Sequence, residues 1–267
     1  LADIGVEPDT VLIEPFARDT GPAILSAALQ LSESDPDTLL LVAPSDHLIP
    51  DHELFRESIA RAVPAASEGQ LLTFGIAPSR PETGYGYLEL DHPTGETAGA
   101  QKLSRFVEKP DILDAQEMVA SGKHLWNAGI FLFTANAIIE AFEEHSPEIV
   151  DAVKAAVDEG TADLSFLRLA AGPWGDIDPV SIDYAVMEKA TNLCVVPHEG
   201  SWSDLGDWAA IWRETAVDGV ATTGEATAIE CHDVLLRSEV EGQSIVCIGL
   251  EDIVGCPRPQ RQRRETV

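Results

Sequence analysis

From the start of the chain to about Gly219, the apolar positions switch between strand and helix spacing. Thr10 to Glu14 is a short apolar strand, and Asp19 or Thr20 caps the helix that carries Pro22 in its first turn and runs on through Leu29. Thr38 to Ala43 is a continuous apolar run, the pattern of a central parallel strand covered on both faces. Glu53 to Ala66 places apolar and charged residues at helical spacing, and Leu71 to Ile76 is another buried strand. Strand, helix, strand, helix, strand at these lengths predicts an α/β fold with a mostly parallel, Rossmann-like sheet.

Further along, Thr83 to Leu90 is a glycine-bearing turn or strand, and Asp111 to Ser121 a helix. Gly129 to Phe133 is a strand preceded by Trp126-Asn127-Ala128, and Thr134 to Val157 reads as one helical stretch. A short helix over Ser181 to Ala190 and a strand over Asn192 to Pro197 follow, then a Trp-flanked loop, Ser201 to Trp208. After Gly219 the texture changes to short β-prone runs, and no sequence repeat stands out. The predicted organisation is a sheet domain over 1–218, a small all-β appendage over 219–255 and an irregular basic tail over 256–267.

Charge narrows the function classes. With 46 acidic against 17 basic residues, the formal net charge is -29, which disfavours nucleic acid and anionic membranes as partners. An acidic protein that handles phosphates needs local cations or Mg²⁺ to hold them. The chain has no apolar run of about 18 residues and no signal-like start, and its four cysteines show no CxxC or zinc spacing. A reducing, cytoplasmic setting is the expectation.

The candidate chemistry sits where strands end. Phe106-Val107 runs into Glu108-Lys109-Pro110; a proline cannot donate to a sheet and favours extended backbone at the residue before it. Glu108 and Lys109 are therefore expected fixed at a strand end, where ligands bind in open α/β sheets. A carboxylate accepts from sugar hydroxyls, and lysine is a compact charge for a phosphate. Asp46 follows the Thr38–Ala43 strand and Asp204 sits in the Trp-flanked loop; two convergent aspartates suit Mg²⁺, although each alone reads equally as a turn or cap residue. Gly84-Tyr85-Gly86 lets backbone approach a ligand closely, or makes a bulge or tight turn. Asn127 offers both donor and acceptor, or an Asx-turn, and all seven histidines read as surface or structural.

The order of the motifs is more specific than any one of them. Glu14-Pro15-x-x-Arg18-Asp19-Thr20, Ala43-Pro44-Ser45-Asp46-His47, Thr83-Gly84-Tyr85-Gly86-Tyr87, Phe106-Val107-Glu108-Lys109-Pro110, Trp126-Asn127-Ala128-Gly129-Ile130-Phe131, Ser181 to Lys189 and Trp202-Ser203-Asp204-Leu205-Gly206 occur in succession. This succession, over residues 10–255, resembles the bacterial mannose-1-phosphate guanylyltransferases, also called GDP-mannose pyrophosphorylases. The resemblance implies a nucleotidyltransferase sheet domain with a small β appendage, and transfer of GMP from GTP to mannose 1-phosphate with release of pyrophosphate. It implies Mg²⁺ on Asp46 and Asp204, the sugar hydroxyls on Glu108 and the sugar phosphate on Lys109. It further implies a sugar pocket from Gly84, Tyr85 and Asn127, a nucleotide side lined by Glu14, Arg18 and Thr20, and a place in the site for Asp183 and Lys189. GTP and mannose 1-phosphate are the expected partners, and a homodimer stays open.

The pattern departs from the family at both ends. The family's glycine-rich G-G-x-G-x-R-L-W-P loop, a phosphate cradle, does not precede the Glu14-Pro15 strand in this sequence, so the chain as it stands is expected to be weakly active or inactive. Past Cys256, four arginines within seven residues read as a basic tail or as a frameshifted end. Two further readings stand beside the enzyme. One is a catalytically silent sugar-nucleotide-binding homologue; the other is a GT-A type glycosyltransferase, whose D-x-D motif Ser45-Asp46-His47 does not supply.

Overall fold

The structure, a computed structural model, describes residues 5–92 and 99–257; residues 1–4 and the arginine-rich stretch from 258 onward lie outside the described residues. By its contacts the chain forms two units, Leu1–Ser45 with Pro50–Gly200 and Asp46–Ile49 with Ser201–Val267.

In the first unit the elements run β1 (Val11–Ile13), α1 (Thr20–Ser32), β2 (Leu39–Val42), α2 (His52–Ser67), β3 (Leu71–Ile76), β4 (Tyr87–Leu90) and β5 (Gln101–Val107). They continue with α3 (Ile112–Ser121), β6 (His124–Thr134), α4 (Ala135–His145), α5 (Pro147–Asp158), β7 (Thr161–Asp163), β8 (Phe166–Arg168) and α6 (Ala171–Gly175). A π-helical turn, Asp183–Met187, precedes β9 (Leu193–His198). Caps set the helix starts: the carboxylates of Asp51 and Asp111 and the hydroxyl of Thr134 accept from the first-turn amides of α2, α3 and α4. The stretch read as one helix over Thr134–Val157 is two, because Pro147 cannot donate to the preceding turn and opens α5 instead.

The main sheet has six strands in the order β2-β6-β3-β9-β5-β4. The α/β class stands, but the expectation of mostly parallel pairing is corrected: only β3–β9 is a parallel ladder in this sheet. Strands β6 and β5 run counter to the other four and separate them. The second correction concerns β2, read as a central parallel strand. It lies at the sheet edge, antiparallel to β6, with Leu41 43% exposed. An apolar run reports cover on the faces of a sheet and carries no information about its edges. Helix α2 packs on β6 and β9 through the small residues Ser58, Ala62 and Ala66, and α1 packs on α4 and α5. Leu25, Leu71, Phe133, Phe142, Trp174 and Val195 lie in the continuous core between these layers. A smaller sheet, β1-β8-β7, stands apart from it.

The second unit contains α7 (Trp208–Thr215), β10 (Val220–Gly224), β11 (Ala226–Ile229), β12 (His232–Ser238), β13 (Ile245–Ile248) and β14 (Glu251–Gly255). Every ladder among these strands is parallel: β10 with β12, β12 with β14, and β11 with β13. Strands two apart in sequence pair, so the chain coils and lays alternate strands on two sheets. Val234, Leu235 and Leu236 of the middle strand are buried at its centre.

Candidate active site

In the first unit, β5 delivers Glu108 and Lys109 past its last residue, Val107. The Glu108 side chain is only 8% exposed and its Oε1 lies 3.2 Å from Lys109 Nζ. Burial raises the Glu108 pKa, and the contact with Lys109 opposes that shift; Glu108 in turn raises the pKa of Lys109. Glu188 accepts the Glu108 backbone N–H at 3.1 Å. One expectation is corrected here: Lys109 is not extended ahead of Pro110 but has φ of 46°, in the left-handed region. With this backbone, the ammonium meets the carboxylate of the preceding residue.

Gly84, Tyr85 and Gly86 form the bend that leads into β4. Tyr85 sits edge-on to Trp126 at 5.2 Å, Arg80 lies over the same indole, and Gly84 N–H donates to Glu82 at 3.2 Å. Gly86 is the demanding position. A Cβ there would stand 2.6 Å from Glu108 Oε2, 3.2 Å from Phe106 Cζ and 3.3 Å from Asn127 Cβ. Asn127 lies within β6 rather than ahead of a strand, and its amide N–H donates to the Gly86 carbonyl at 2.8 Å. Its side-chain Oδ1 accepts from Thr73 Oγ1 (2.7 Å) and from Gly129 N–H (3.2 Å), while its Nδ2 donates to Asp183 Oδ1 at 3.1 Å. Asp183 opens the π-helical turn, and burial followed by the Glu108 charge raises its pKa to about 7. Glu108, Lys109, Gly86, Asn127 and Asp183 thus form one cluster.

The segment expected to line a nucleotide docks beside Asp183. Thr20 Oγ1 accepts the Ile182 N–H at 3.0 Å, and Gly21 N–H donates to the Val180 carbonyl at 3.0 Å. Arg18 is bound to protein: its Nε donates to the Trp174 carbonyl at 3.2 Å and its Nη2 to that of Gly175, at the end of α6. Burial raises the pKa of Glu14, opposed by the Arg18 backbone N–H. Lys189 also has a protein partner, donating at 3.0 Å to the His145 carbonyl at the end of α4.

In the second unit, Leu48 and Ser203 exchange backbone hydrogen bonds of 2.8 and 3.0 Å, which lays the segment bearing Asp46 beside the one bearing Asp204. His47 follows Asp46 in the chain and packs edge-on against Trp202. Burial lowers its pKa, and the charges of Asp46 and Asp204 both oppose that shift, so both carboxylates act on one imidazole. Trp202 Nε1–H donates to His47 Nδ1 at 3.3 Å, which leaves the proton of the neutral ring on Nε2. Gly206 N–H donates to Asp204 Oδ1 at 3.2 Å, and a Cβ at Gly206 would stand 2.7 Å from Asp204 Oδ2. No group of three or more His, Cys, Asp or Glu suited to a metal occurs among the described residues. Two carboxylates fit a hard cation that draws its remaining ligands from water and substrate phosphates.

The Nucleotidyl transferase family matches residues 3–219. The chain belongs to this family. Members of the nucleotidyl transferase family generally use a divalent metal. Among its relatives, the xanthan biosynthesis protein XanB of Xanthomonas campestris is 40% identical over 95% of this chain and 53% of its own length. A mannose-1-phosphate guanylyltransferase of Sinorhizobium fredii is 40% identical over 94% of this chain and 51% of its own. The chain spans about half the length of these curated relatives. A solved structure titled mannose-1-phosphate geranyltransferase, from Thermus thermophilus, superposes with a TM-score of 0.77 at 31% identity. That alignment covers 93% of this chain and 71% of the other.

Within this nucleotidyl transferase, sequence reasoning missed Thr73 and Glu188, and read His47 as surface or structural. Gly86, read in sequence as a point of close backbone approach, proves to be the demanding glycine of its motif. Thr73 was masked by its place in the buried run of β3, where a threonine passes for an apolar position. The Glu188 contact spans 80 residues and depends on how the π-helical turn meets the end of β5.

Proposed function

We propose that this nucleotidyl transferase moves GMP from GTP to mannose 1-phosphate, giving GDP-mannose and pyrophosphate. The observation that carries the reading is the first-unit cluster: a buried carboxylate, a lysine ion-paired to it, and a glycine whose missing side chain leaves room for that carboxylate. Glu108 accepts from sugar hydroxyls and Lys109 faces the sugar phosphate, with the Gly84–Gly86 bend and Asp183 completing the pocket. An oxygen of the sugar phosphate attacks the α-phosphorus of GTP as the bond to the bridging oxygen of the leaving pyrophosphate breaks. No side chain has to become a nucleophile, so positioning and charge neutralisation carry the rate. Asp46 and Asp204 would hold Mg²⁺, which when bound neutralises phosphate charge. Glu14, Arg18 and Thr20 belong to the nucleotide side through the scaffold of α1 and the 180–182 segment. The relatives' roles in xanthan and mannose 1-phosphate chemistry favour this reading over a glycosyltransferase.

The test is calorimetric binding of α-mannose 1-phosphate to the full chain, together with pyrophosphate release on adding GTP and Mg²⁺. Binding that is lost in Glu108→Ala and in Lys109→Ala is the expected result. Failure to bind both mannose 1-phosphate and GDP-mannose overturns the proposal.

A further inference from the structure

Asn127 is 8% exposed, and its side chain is already occupied. Its Oδ1 accepts two hydrogen bonds, from Thr73 and from the Gly129 backbone, which is all that an amide oxygen's two lone pairs take. The Gly129 N–H, which can only donate, fixes which end of the amide is oxygen; the Thr73 hydroxyl supports that orientation and also lies 3.1 Å from the Ile130 carbonyl. The Nδ2 group therefore faces Asp183, and one of its two hydrogens is spent there at 3.1 Å. Three of the four hydrogen bonds this amide can make are internal. Asp183, by contrast, uses Oδ1 on Asn127 and feels the charge of Glu108, whose Oε2 occupies the space a side chain at Gly86 would need.

We propose that Asn127 serves the sugar site as a positioning residue: Thr73 and Gly129 orient its amide, the amide orients Asp183, and Asp183 with Glu108 meets two hydroxyls of the hexose phosphate. The inference rests on the sugar-phosphate reading of this pocket and deepens it. Two carboxyls on the same pocket, Glu108 held by Lys109 and Asp183 held by Asn127, each offer an oxygen to one of two adjacent hydroxyls. The groups that face Asp183 are Glu108 and Lys109 from the end of β5, Asp19 from the turn before α1, and the Asn127 amide from β6. Among the charged ones, Glu108 acts most strongly on Asp183 and, like burial, favours its protonated form.

The test has two arms. In the first, the Asp183 carboxyl is followed by carbon NMR against pH in the full chain without ligand. The expected midpoint is about 7, moved in Thr73→Val and restored in Thr73→Ser. An unchanged midpoint in Thr73→Val overturns the positioning chain, whether or not the protein binds a sugar. In the second arm, mannose 1-phosphate affinity is measured for Asn127→Ala, Asp183→Ala and the double variant. Each single change is expected to weaken binding about tenfold, and the double change no further than either alone. Effects that multiply to about a hundredfold would mean that Asn127 touches the sugar independently, and the proposal falls. If Asn127→Ala does not fold, Thr73→Val combined with Asp183→Ala closes the same cycle. Normal coupling in the first arm with no mannose 1-phosphate binding in the second overturns the sugar-phosphate function and the diol contact, and leaves the positioning chain standing.

Discussion

Gly86→Ala isolates the sugar-side geometry with one methyl group. Gly86 has no positive φ, so alanine meets no backbone penalty and the effect is steric. The new Cβ would stand 2.6 Å from Glu108 Oε2, with Phe106 and Asn127 at 3.2 and 3.3 Å. Overpacking in a rigid site costs about 1–3 kcal/mol. Here the closest atom is the end of a side chain that can swing, so the stability loss belongs near about 1 kcal/mol, or about 2–4 °C in Tm. The binding loss is larger, because the carboxylate that moves is the one proposed to hold the sugar. A hydrogen bond to a charged group contributes about 1.5–3 kcal/mol, so the affinity for mannose 1-phosphate should fall about 10- to 150-fold. Gly172→Ala, in α6, is the control: a Cβ there meets nothing within 4 Å, and it should leave affinity within about twofold. Calorimetric titration of both variants decides the matter. Equal affinities for Gly86→Ala and the parent chain would refute the placement of Glu108 in the sugar site.

Asp183 has a folded pKa of about 7, above its ordinary value of 3.8, so the folded chain holds a proton that the unfolded chain has released between those limits. Its contribution to stability is thus present in acid and lost as pH rises toward 7. Asp183→Asn should flatten this part of the Tm-versus-pH curve and be at least as stable as the parent at pH 8; an unchanged slope from pH 4 to 7 counts against it. Gly206→Ala, by pressing on Asp204 Oδ2, should raise about tenfold the Mn²⁺ concentration needed for binding beside GTP, read by electron paramagnetic resonance. Mannose 1-phosphate affinity should stay unchanged in that variant. Lys189→Met should cost about 0.3–1 kcal/mol in urea unfolding, through loss of its contact with the end of α4, and leave mannose 1-phosphate affinity within about twofold.

Local signals in the sequence located most helices, because a cap acts over three or four residues. Asp19 and Asp111 stood before the helices they cap, and Pro147 was the one punctuation mark passed over. Strand pairing was far less legible. The run at β2 reads the same whether the strand is central or at an edge, and the counter-running β6 and β5 leave no mark in their own residues. The parallel coil of the second unit was hidden for another reason. Val220 pairs with Val234 and Val234 with Ile253, so the rungs differ in length and no fixed period shows. Residue types pointed to Glu108 and Lys109 in the first unit and to Asp46 and Asp204 in the second, but partners decide roles. Arg18 and Lys189 look like free cations in sequence, and both are bound to helix-end carbonyls.

The backbone passes between the two units three times, after Ser45, after Ile49 and after Gly200. The carboxy-terminal unit is therefore built from two separate stretches of chain. This division limits recombination between related genes. A carboxy-terminal segment exchanged at Gly200 arrives with Asp204 but without Asp46, and its Ser203 loses the native strand partner Leu48. A working exchange has to carry the four-residue Asp46–Ile49 insert along with the carboxy-terminal unit, so the two are expected to be inherited as one cassette written in two places.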